Sequence, residues 1–371
     1  DVPISITALS GQDLQANQID ATSDLMMVVP GLRVEATGAY IQPTIRGITT
    51  SVIAPTAEAN IATYVDGVYQ TTQIAAIYEL PDVSSVEVLK GPQGTLFGRN
   101  ATGGAILISA KKPDLFEPAG KVSVSYGSFD EWKLSGYVSI PLVNDRLGLS
   151  VSALYSDDDG YTRDILDGGR TVGGTNTFLL RGKLRVRPWD GADFVLTGLR
   201  AERDDFRGIK QTNYRGNNAA AQTLPASMIA SRPWEFGGNE DPFIKSEQTS
   251  VSLRGEIDLG PGTLTTTTAY TKDKNLLQSD TDNSPLAVTY VLTPGYVESV
   301  QQEIIYATNQ LGRFRFTGGL FYYDNEGGQD LAMNRGAVVI LQRDEARSYA
   351  AFGEVAFDAT DRLTLTAGLR Y

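Results

Sequence analysis

Apolar and polar residues alternate with a period of two along most of this chain, from about residue 119 to residue 371. Trp132, Leu134, Gly136, Val138 and Ile140 share one face of a segment whose other face carries Lys133, Ser135, Tyr137 and Ser139. Leu149, Val151, Ala153 and Tyr155 oppose Ser150 and Ser152. Val251, Leu253, Gly255, Ile257 and Leu259 oppose Ser252, Arg254, Glu256 and Asp258. The sharpest contrast sets Leu180, Gly182, Leu184 and Val186 against Arg181, Lys183, Arg185 and Arg187. The last sets Leu363, Leu365, Ala367, Leu369 and Tyr371 against Thr364, Thr366 and Arg370. Successive side chains of a strand leave opposite faces of a sheet, so each segment predicts a strand with one apolar and one polar face. Phe314, Phe316, Leu320 and Tyr322 mark one face of a further strand, although Phe321 and Tyr323 blur the other. The stretch from Phe194 to Arg203 does not alternate cleanly, and its faces stay unassigned.

Eleven strands are predicted, near 121–127, 130–141, 146–156, 176–188, 192–206, 246–259, 262–275, 296–309, 313–326, 346–358 and 362–371. Their connections alternate in length. Asn144-Asp145, Trp189-Asp190-Gly191, Gly260-Pro261-Gly262, Leu311-Gly312 and Thr360-Asp361 read as tight turns, whereas those near 157–175, 207–245, 277–295 and 327–345 are long. Segments of about 9–14 residues, with short turns on one side and long polar loops on the other, are the signature of an outer-membrane barrel. A soluble β-sandwich also turns a polar face to water, but it has no reason to alternate its connections so regularly. Four cations on one face suit bulk water or a hydrated lumen, not lipid.

The first 118 residues follow another pattern. Ser10 precedes a short predicted helix from Gly11 to Asn17, and Ser23 caps a second from Asp24 to Val29 that Pro30-Gly31 would stop. Tyr64-Val65-Asp66-Gly67-Val68 holds the Asp-Gly pair of a tight hairpin, while Val86 to Leu89 and Ala105 to Ile108 read as strands. The predicted fold class is mainly β: an α/β domain over 1–118, then an antiparallel transmembrane β-barrel over 119–371.

Composition narrows the chemistry. With 32 Lys+Arg against 44 Asp+Glu the formal charge is −12, so the basic footprint of a nucleic-acid partner is missing. Cys and His are both absent, which removes disulfides, Cys-ligated metal sites, Ser-His-Asp triads and imidazole catalysis. No run approaches the ~18 consecutive apolar residues of a spanning helix, so a membrane role requires a barrel. Asp1-Val2-Pro3-Ile4 has no basic segment followed by an apolar core, and a secretory leader is expected to be absent or already removed.

Gly91-Pro92-Gln93-Gly94-Thr95-Leu96-Phe97-Gly98-Arg99 invites a phosphate-loop reading, but no Lys-Ser or Lys-Thr follows at the required spacing. The longer run from Val86 to Ile106, with Asn100-Ala101-Thr102-Gly103-Gly104 inside it, closely resembles the plug-domain signature of TonB-dependent outer-membrane receptors. Val29-Pro30-Gly31-Leu32, Ile45-Arg46-Gly47 and Tyr64-Val65-Asp66-Gly67 match the same family in the same order. Asp1 to Ile6 resembles family sequence shortly after the TonB box, which lies outside this chain.

The resemblance implies a plug seated inside a barrel of 22 strands, the size of plugged transporters, with the N-terminal half of that barrel in this chain. It implies a Gram-negative outer-membrane receptor that takes up a scarce nutrient, a ferric siderophore by default. Cobalamin, haem, a glycan fragment or a plant-derived aromatic are the alternatives. Its implied partners are outer-membrane lipid, a small-molecule ligand, and TonB with the ExbB and ExbD motor, acting on a box upstream of residue 1. It implies no catalysis and no intrinsic cofactor, an iron chelate being cargo. A passive channel or adhesin would not need the plug, and an outer-membrane hydrolase would draw on His.

The plug signature comprises Pro30, Gly31, Gly47, Asp66, Gly67, Gly91, Pro92, Gly94, Gly98, Gly103 and Gly104. Arg46 and Lys90 match positions where the family sets cations against barrel carboxylates. Lys90 stands where Arg is usual, so a point charge replaces a bidentate fork and weakens that lock. By analogy the ligand meets plug loops near 37–42, 49–60 and 69–77, with Tyr40, Gln42, Tyr69, Gln70 and Gln73 as candidates. Packing is an equal reading for Tyr40, Tyr69 and Tyr78. The cations of 181–187 either pair with acidic groups of the plug or guide an anionic ligand. Asp157-Asp158-Asp159 and the run from Asp324 to Asp330 lack EF-hand spacing and read as solvated loops rather than Ca²⁺ ligands.

An open half-barrel would leave two strand edges in lipid, at several kcal/mol for each unsatisfied group. Residues 1–371 alone are therefore expected not to insert stably. Recovery of the isolated polypeptide as a closed barrel that resists heat in unboiled gels would contradict this.

Overall fold

The computed structural model of the protein describes residues 5–19, 21–37, 40–50, 59–72, 81–94, 98, 100–206, 223–280, 284–287, 290–333 and 337–371, without the side chains of 35–37 and 40–41. The N-terminal part contains β1 (Ser5–Ser10), α1 (Gly11–Ala16), a 3₁₀ helix (Thr22–Met27), β2 (Leu32–Thr37), β3 (Tyr40–Ile45), β4 (Ile61–Val65), β5 (Val68–Tyr69), β6 (Val83–Lys90) and β7 (Gly104–Ala110). Five of these strands form a sheet in the order β1-β6-β7-β4-β5, with β4 and β7 parallel. Strands β2 and β3 pair as a separate hairpin. Leu14, Leu25, Val29, Ile45, Val86, Val88 and Ile106 belong to the buried cluster that binds both helices and the hairpin to the sheet.

A reciprocal cap fixes α1. The Ser10 hydroxyl accepts from Asp13 N–H and the Asp13 carboxylate accepts from Ser10 N–H, which holds the Asp13 carboxyl below its ordinary value. The second helix departs from expectation. It is 3₁₀, begins before Ser23, and is capped by Asp24, whose carboxylate accepts from Ala21 N–H at 3.0 Å. Pro30 disfavours the α region for Val29, leaving room for tight turns only.

The remainder contains β8 (Ala119–Tyr126), β9 (Trp132–Val143), β10 (Leu147–Asp158), β11 (Thr162–Asp164), β12 (Thr171–Val172), β13 (Thr175–Val186) and β14 (Ala192–Asp205). It continues with β15 (Glu235–Phe236), β16 (Phe243–Asp258), β17 (Gly262–Asp280), β18 (Tyr290–Thr308), β19 (Phe314–Met333), β20 (Val338–Thr360) and β21 (Leu363–Arg370). Omitting β11, β12 and β15, these make one eleven-stranded sheet with neighbours in chain order. All eleven predicted barrel strands are present. The three short strands pair with one another across two long connections.

Two connections expected to be long are largely strand, since β17 to β20 run well past the apolar band. There the outward side chains are charged and pair across strands, Lys272 with Glu298, Asp324 with Arg347 and Asp330 with Arg343. Hydrophobic alternation fades where a strand leaves lipid, but its backbone pairing continues.

Faces follow the alternation. Arg181 and Lys183 point inward and are buried, while Leu180 points outward. Register resolves β14: Leu199 pairs with Arg181 and Thr197 with Lys183, so both point inward, and Arg200 and Glu202 point outward. Its pattern was unclear because Leu199 and Ala201 join Leu154 and Leu179 in an apolar cluster on the inner wall. Outward aromatics form two belts. Trp132, Tyr155, Tyr270 and Tyr349 lie toward the long connections, and Trp189, Phe314 and Phe316 lie at the turn end. Leu134, Val138, Leu180, Leu196 and Leu253 lie between them, as a lipid-facing band requires.

Leu184 stands mid-band on the outer face of β13. Leu184→Lys is expected to cost about 2–4 kcal/mol in the full-length protein unfolded by urea from lipid vesicles. An unchanged unfolding free energy would remove this face from lipid.

Candidate functional site

The N-terminal domain rests against the inner face of the large sheet through discrete polar joints. At the first, the Asp82 carboxylate, immediately before β6, pairs with Arg181 and accepts from Ser152 Oγ at 2.8 Å. Asp82 is 2% exposed and Arg181 6%. A charge so enclosed requires its partner, since an isolated buried ion is strongly disfavoured.

The second joint is the β4–β5 turn. Asp66 and Gly67 have φ of +51° and +83°, the positive values a two-residue type I′ hairpin requires. The Asp66 carboxylate accepts from Ala110 N–H at 2.9 Å and lies 2.8 Å from Lys183 Nζ, which also donates to the Ala110 carbonyl at 3.2 Å. One inward lysine thus ties the hairpin and the end of β7 to the wall.

Third, Gln301 on β18 grips the backbone beside that turn, accepting from Tyr69 N–H at 2.8 Å and donating to the Gly67 carbonyl at 3.1 Å. Tyr323 OH donates to Thr71 Oγ1 at 2.8 Å, Thr72 Oγ1 to Asp273 at 3.2 Å, and Gln248 Nε2 to Gln70 at 3.2 Å. The Tyr69 ring lies 5.6 Å from Tyr64 and 5.7 Å, edge to face, from Tyr323. Burial pushes the Tyr64 and Tyr69 phenols up, so both stay neutral, and Tyr69 OH accepts from Asn100 Nδ2 at 2.6 Å.

Backbone bonds from Gly91 N–H to the Gly103 carbonyl and from Gln93 N–H to the Ala101 carbonyl close the signature run into a loop. Gly104 is irreplaceable there: its φ is +148°, and a Cβ would lie 2.3 Å from the Leu89 carbonyl oxygen. Residues 95–97 and 99 lie outside the described residues.

Arg46, with φ +51°, and Gly47 form a second two-residue turn, and the Arg46 side chain is exposed. Lys90 is buried at the end of β6. Among the described residues neither has an ion-pair partner. Two joints have the opposite polarity, with the wall cations Arg181 and Lys183 meeting plug-side carboxylates, whereas Lys112 lies 3.5 and 3.4 Å from the wall carboxylates Asp193 and Glu256. Of the four inward cations Arg181 and Lys183 pair with carboxylates of the N-terminal domain. Arg185 pairs with Asp193 and donates to the Pro113 carbonyl, and Arg187 pairs with Asp145.

Tyr69, proposed from sequence as a ligand contact, is 3% exposed and enclosed by both domains, so its ring is a joint rather than an open surface. Gln70 is half-buried beside it, and Gln42 is half-buried on β3. The side chain of Tyr40, and Gln73 and Tyr78 entirely, lie outside the described residues. Asp158 accepts from Gly160 N–H and Thr175, and Asp324 and Asp330 pair with Arg347 and Arg343. Among the described residues no three acidic side chains converge on a metal-sized site. Sequence reasoning missed Asp82, Gln301, Tyr323 and Asp273. The inward cations signalled that carboxylates must face them, but spacing cannot identify which.

Comparison with known proteins accounts for this arrangement. Residues 1–105 match the family model described as TonB-dependent receptor plug domain, and residues 189–371 the one described as TonB-dependent receptor-like β-barrel. The chain is 27% identical over 380 residues to the pesticin receptors of Yersinia enterocolitica and Yersinia pestis, covering 99% of this chain and 53% of theirs. It is 28% identical over 169 residues to an iron-regulated outer membrane virulence protein of Vibrio cholerae, covering 41% of this chain and 24% of that protein. The ferric yersiniabactin uptake receptor from Yersinia pestis superposes with a TM-score of 0.83 at 24% identity, covering 100% of this chain and 56% of that structure. The ferripyoverdine receptor of Pseudomonas aeruginosa gives 0.77 at 18% identity, covering 100% and 51%. The chain spans about half the length of the curated relatives it matches.

Asp82→Ala leaves Arg181 buried without its partner and is expected to cost about 3–5 kcal/mol, measured by urea unfolding of the full-length protein. Asp82→Leu combined with Arg181→Leu should recover most of that loss. A double variant no more stable than the single one would contradict the pairing.

Proposed function

The chain belongs to the TonB-dependent receptors, as a plug domain with part of its β-barrel, and from that premise we propose that the protein imports a ferric siderophore across the outer membrane. Receptors of this family transport rather than catalyse. One observation carries the reading: a folded domain fills the inner face of the sheet and is held there by a few separable joints at Asp82, Asp66 and Gln301. A passive pore gains nothing from such a domain, whereas an energised transporter needs one that blocks the lumen and can be displaced. The names of the relatives supply the choice of cargo, since they include an iron-regulated protein, a ferric yersiniabactin receptor and a ferripyoverdine receptor.

In this reading TonB, with ExbB and ExbD, acts on a segment upstream of residue 1 and uses proton-motive force to loosen the joints. Tyr40, Gln42, Gln70 and Gln73 contact the ligand, and Arg46 and Lys90 meet carboxylates on the rest of the barrel. Iron is cargo, held by its chelator.

The test compares cells carrying the complete gene with its deletion, with iron supply varied and radiolabelled ferric siderophores offered. Expression should rise under iron starvation, and uptake should require both this protein and TonB. Uptake that needs TonB while ignoring iron would overturn the siderophore and keep the transporter. Uptake without TonB would overturn both.

A further inference from the structure

Two glycines of the plug signature, Gly67 and Gly98, are covered by arginines of the wall. A Cβ on Gly67 would lie 2.7 Å from Arg254 Nη1, and one on Gly98 would lie 2.5 Å from Arg370 Cζ and 2.9 Å from its Nε. No side chain fits at such distances, so each guanidinium rests directly on bare backbone.

Register brings the two arginines to one carboxylate. Arg254 on β16 pairs with Thr267 on β17, Thr267 with Glu303 on β18, and Glu303 with Phe321 on β19. Residues paired across strands share a face, and Thr267 and Phe321 are buried against the plug, so the whole rung points inward. Arg370 on β21 pairs with Phe352 on β20, and its guanidinium lies 4.9 Å from the Phe352 ring and 5.6 Å from the Phe321 ring. The charge of Glu303 acts on both guanidiniums at once.

Packing alone does not hold Arg254 in place. Arg254 and Glu303 border a cavity of about 700 Å³ between the plug and this wall, together with Tyr64, Gly67 and Phe352. Glu256 lies 3.2 Å from Arg254 Nε, which leaves Nη1 directed at Gly67. Beside open space a long side chain has several rotamers, and an opposing charge selects among them.

The plug side is bridged as well. Asn100 Nδ2 donates to Tyr69 OH at 2.6 Å, joining the signature loop to the strand that follows the Asp66-Gly67 turn. Turn, loop, Arg370, Glu303 and Arg254 thus close a ring of contacts.

We propose that Glu303 is a positioning residue for transport: it holds Arg254 against Gly67 and Arg370 against Gly98, so that the two signature segments seat and release as one unit. In its bearing on uptake the proposal rests on the transport reading. A seat of this kind blocks the lumen until both segments are free, whereas two independent contacts would let one segment open alone.

Hydrogen exchange of the full-length receptor in lipid vesicles, read over residues 61–72 and 100–107, tests the coupling without any cargo. Arg254 covers only the first segment, yet Arg254→Gln should speed exchange about tenfold in both, as should Arg370→Gln and Glu303→Gln. With Arg254→Gln and Arg370→Gln combined, Glu303 is an enclosed carboxylate that has lost these counter-charges, so adding Glu303→Gln should slow exchange again. A residue that acted by packing would speed exchange in either background. Arg254→Gln loosening 61–72 alone, or Glu303→Gln speeding exchange in the doubly substituted receptor, would overturn the proposal. Where Glu303→Gln does not assemble, the same reversal is read in the yield of folded receptor. The triple variant should then be recovered, and its failure would count against the proposal.

Entry of vancomycin into cells that lack TonB links the seat to the blocked lumen. The Glu303→Gln receptor should admit it about tenfold faster than the parent, and unchanged entry would remove Glu303 from sealing. A parent that imports no ferric siderophore defeats the transport reading, whereas uncoupled exchange defeats the role of Glu303.

Discussion

Arg181 and Lys183 place two positive charges on a wall that is covered by another domain, and the whole arrangement turns on how those charges are satisfied. Water cannot reach them freely, so each must find a carboxylate or become a large penalty. Asp82 and Asp66 provide the carboxylates, and each is itself tied to backbone, Asp82 through its carbonyl to Lys111 N–H and Asp66 to Ala110 N–H. The position of the plug is thereby fixed to within a hydrogen-bond length at two points on one strand. Gln301 adds a third point four strands along the sheet.

Such joints suit a domain that must both block and yield. A broad apolar interface would hold the plug by area, and releasing it would expose that area to water all at once. Polar joints instead break one at a time, and each freed group can be rehydrated in a lumen whose wall is rich in Ser, Thr and Gln. Among the described residues an apolar contribution comes from one patch, where Tyr64, Tyr69 and Leu89 meet Phe321, Tyr323 and Phe352. Anchoring through these joints is therefore concentrated toward β10 and β13–β20.

Where the sequence misled, the cause was a neighbour distant in the chain. Phe321 and Tyr323 blurred the alternation of β19 because their inward face meets plug aromatics rather than water. The outer ends of β17 to β20 read as loops because regular alternation of apolar and polar residues is lost there, although backbone pairing keeps them extended. Ser23 looked like a cap, but Asp24 takes that role because the helix begins earlier and winds more tightly.

The sequence by itself determined the strand count, the lipid-facing and lumen-facing sides of most strands, the plug with its Asp66-Gly67 hairpin, and the exclusion of His and Cys chemistry. These are properties of period, composition and local backbone angle, all carried by residues close together in the chain. Only the tertiary structure decided that Arg181 meets Asp82, that Lys183 meets Asp66, and that Tyr69 is enclosed beside Tyr323 rather than open. Those partners lie between about 100 and 250 residues apart, and the packing of a domain against a wall, which no local pattern encodes, brings them together.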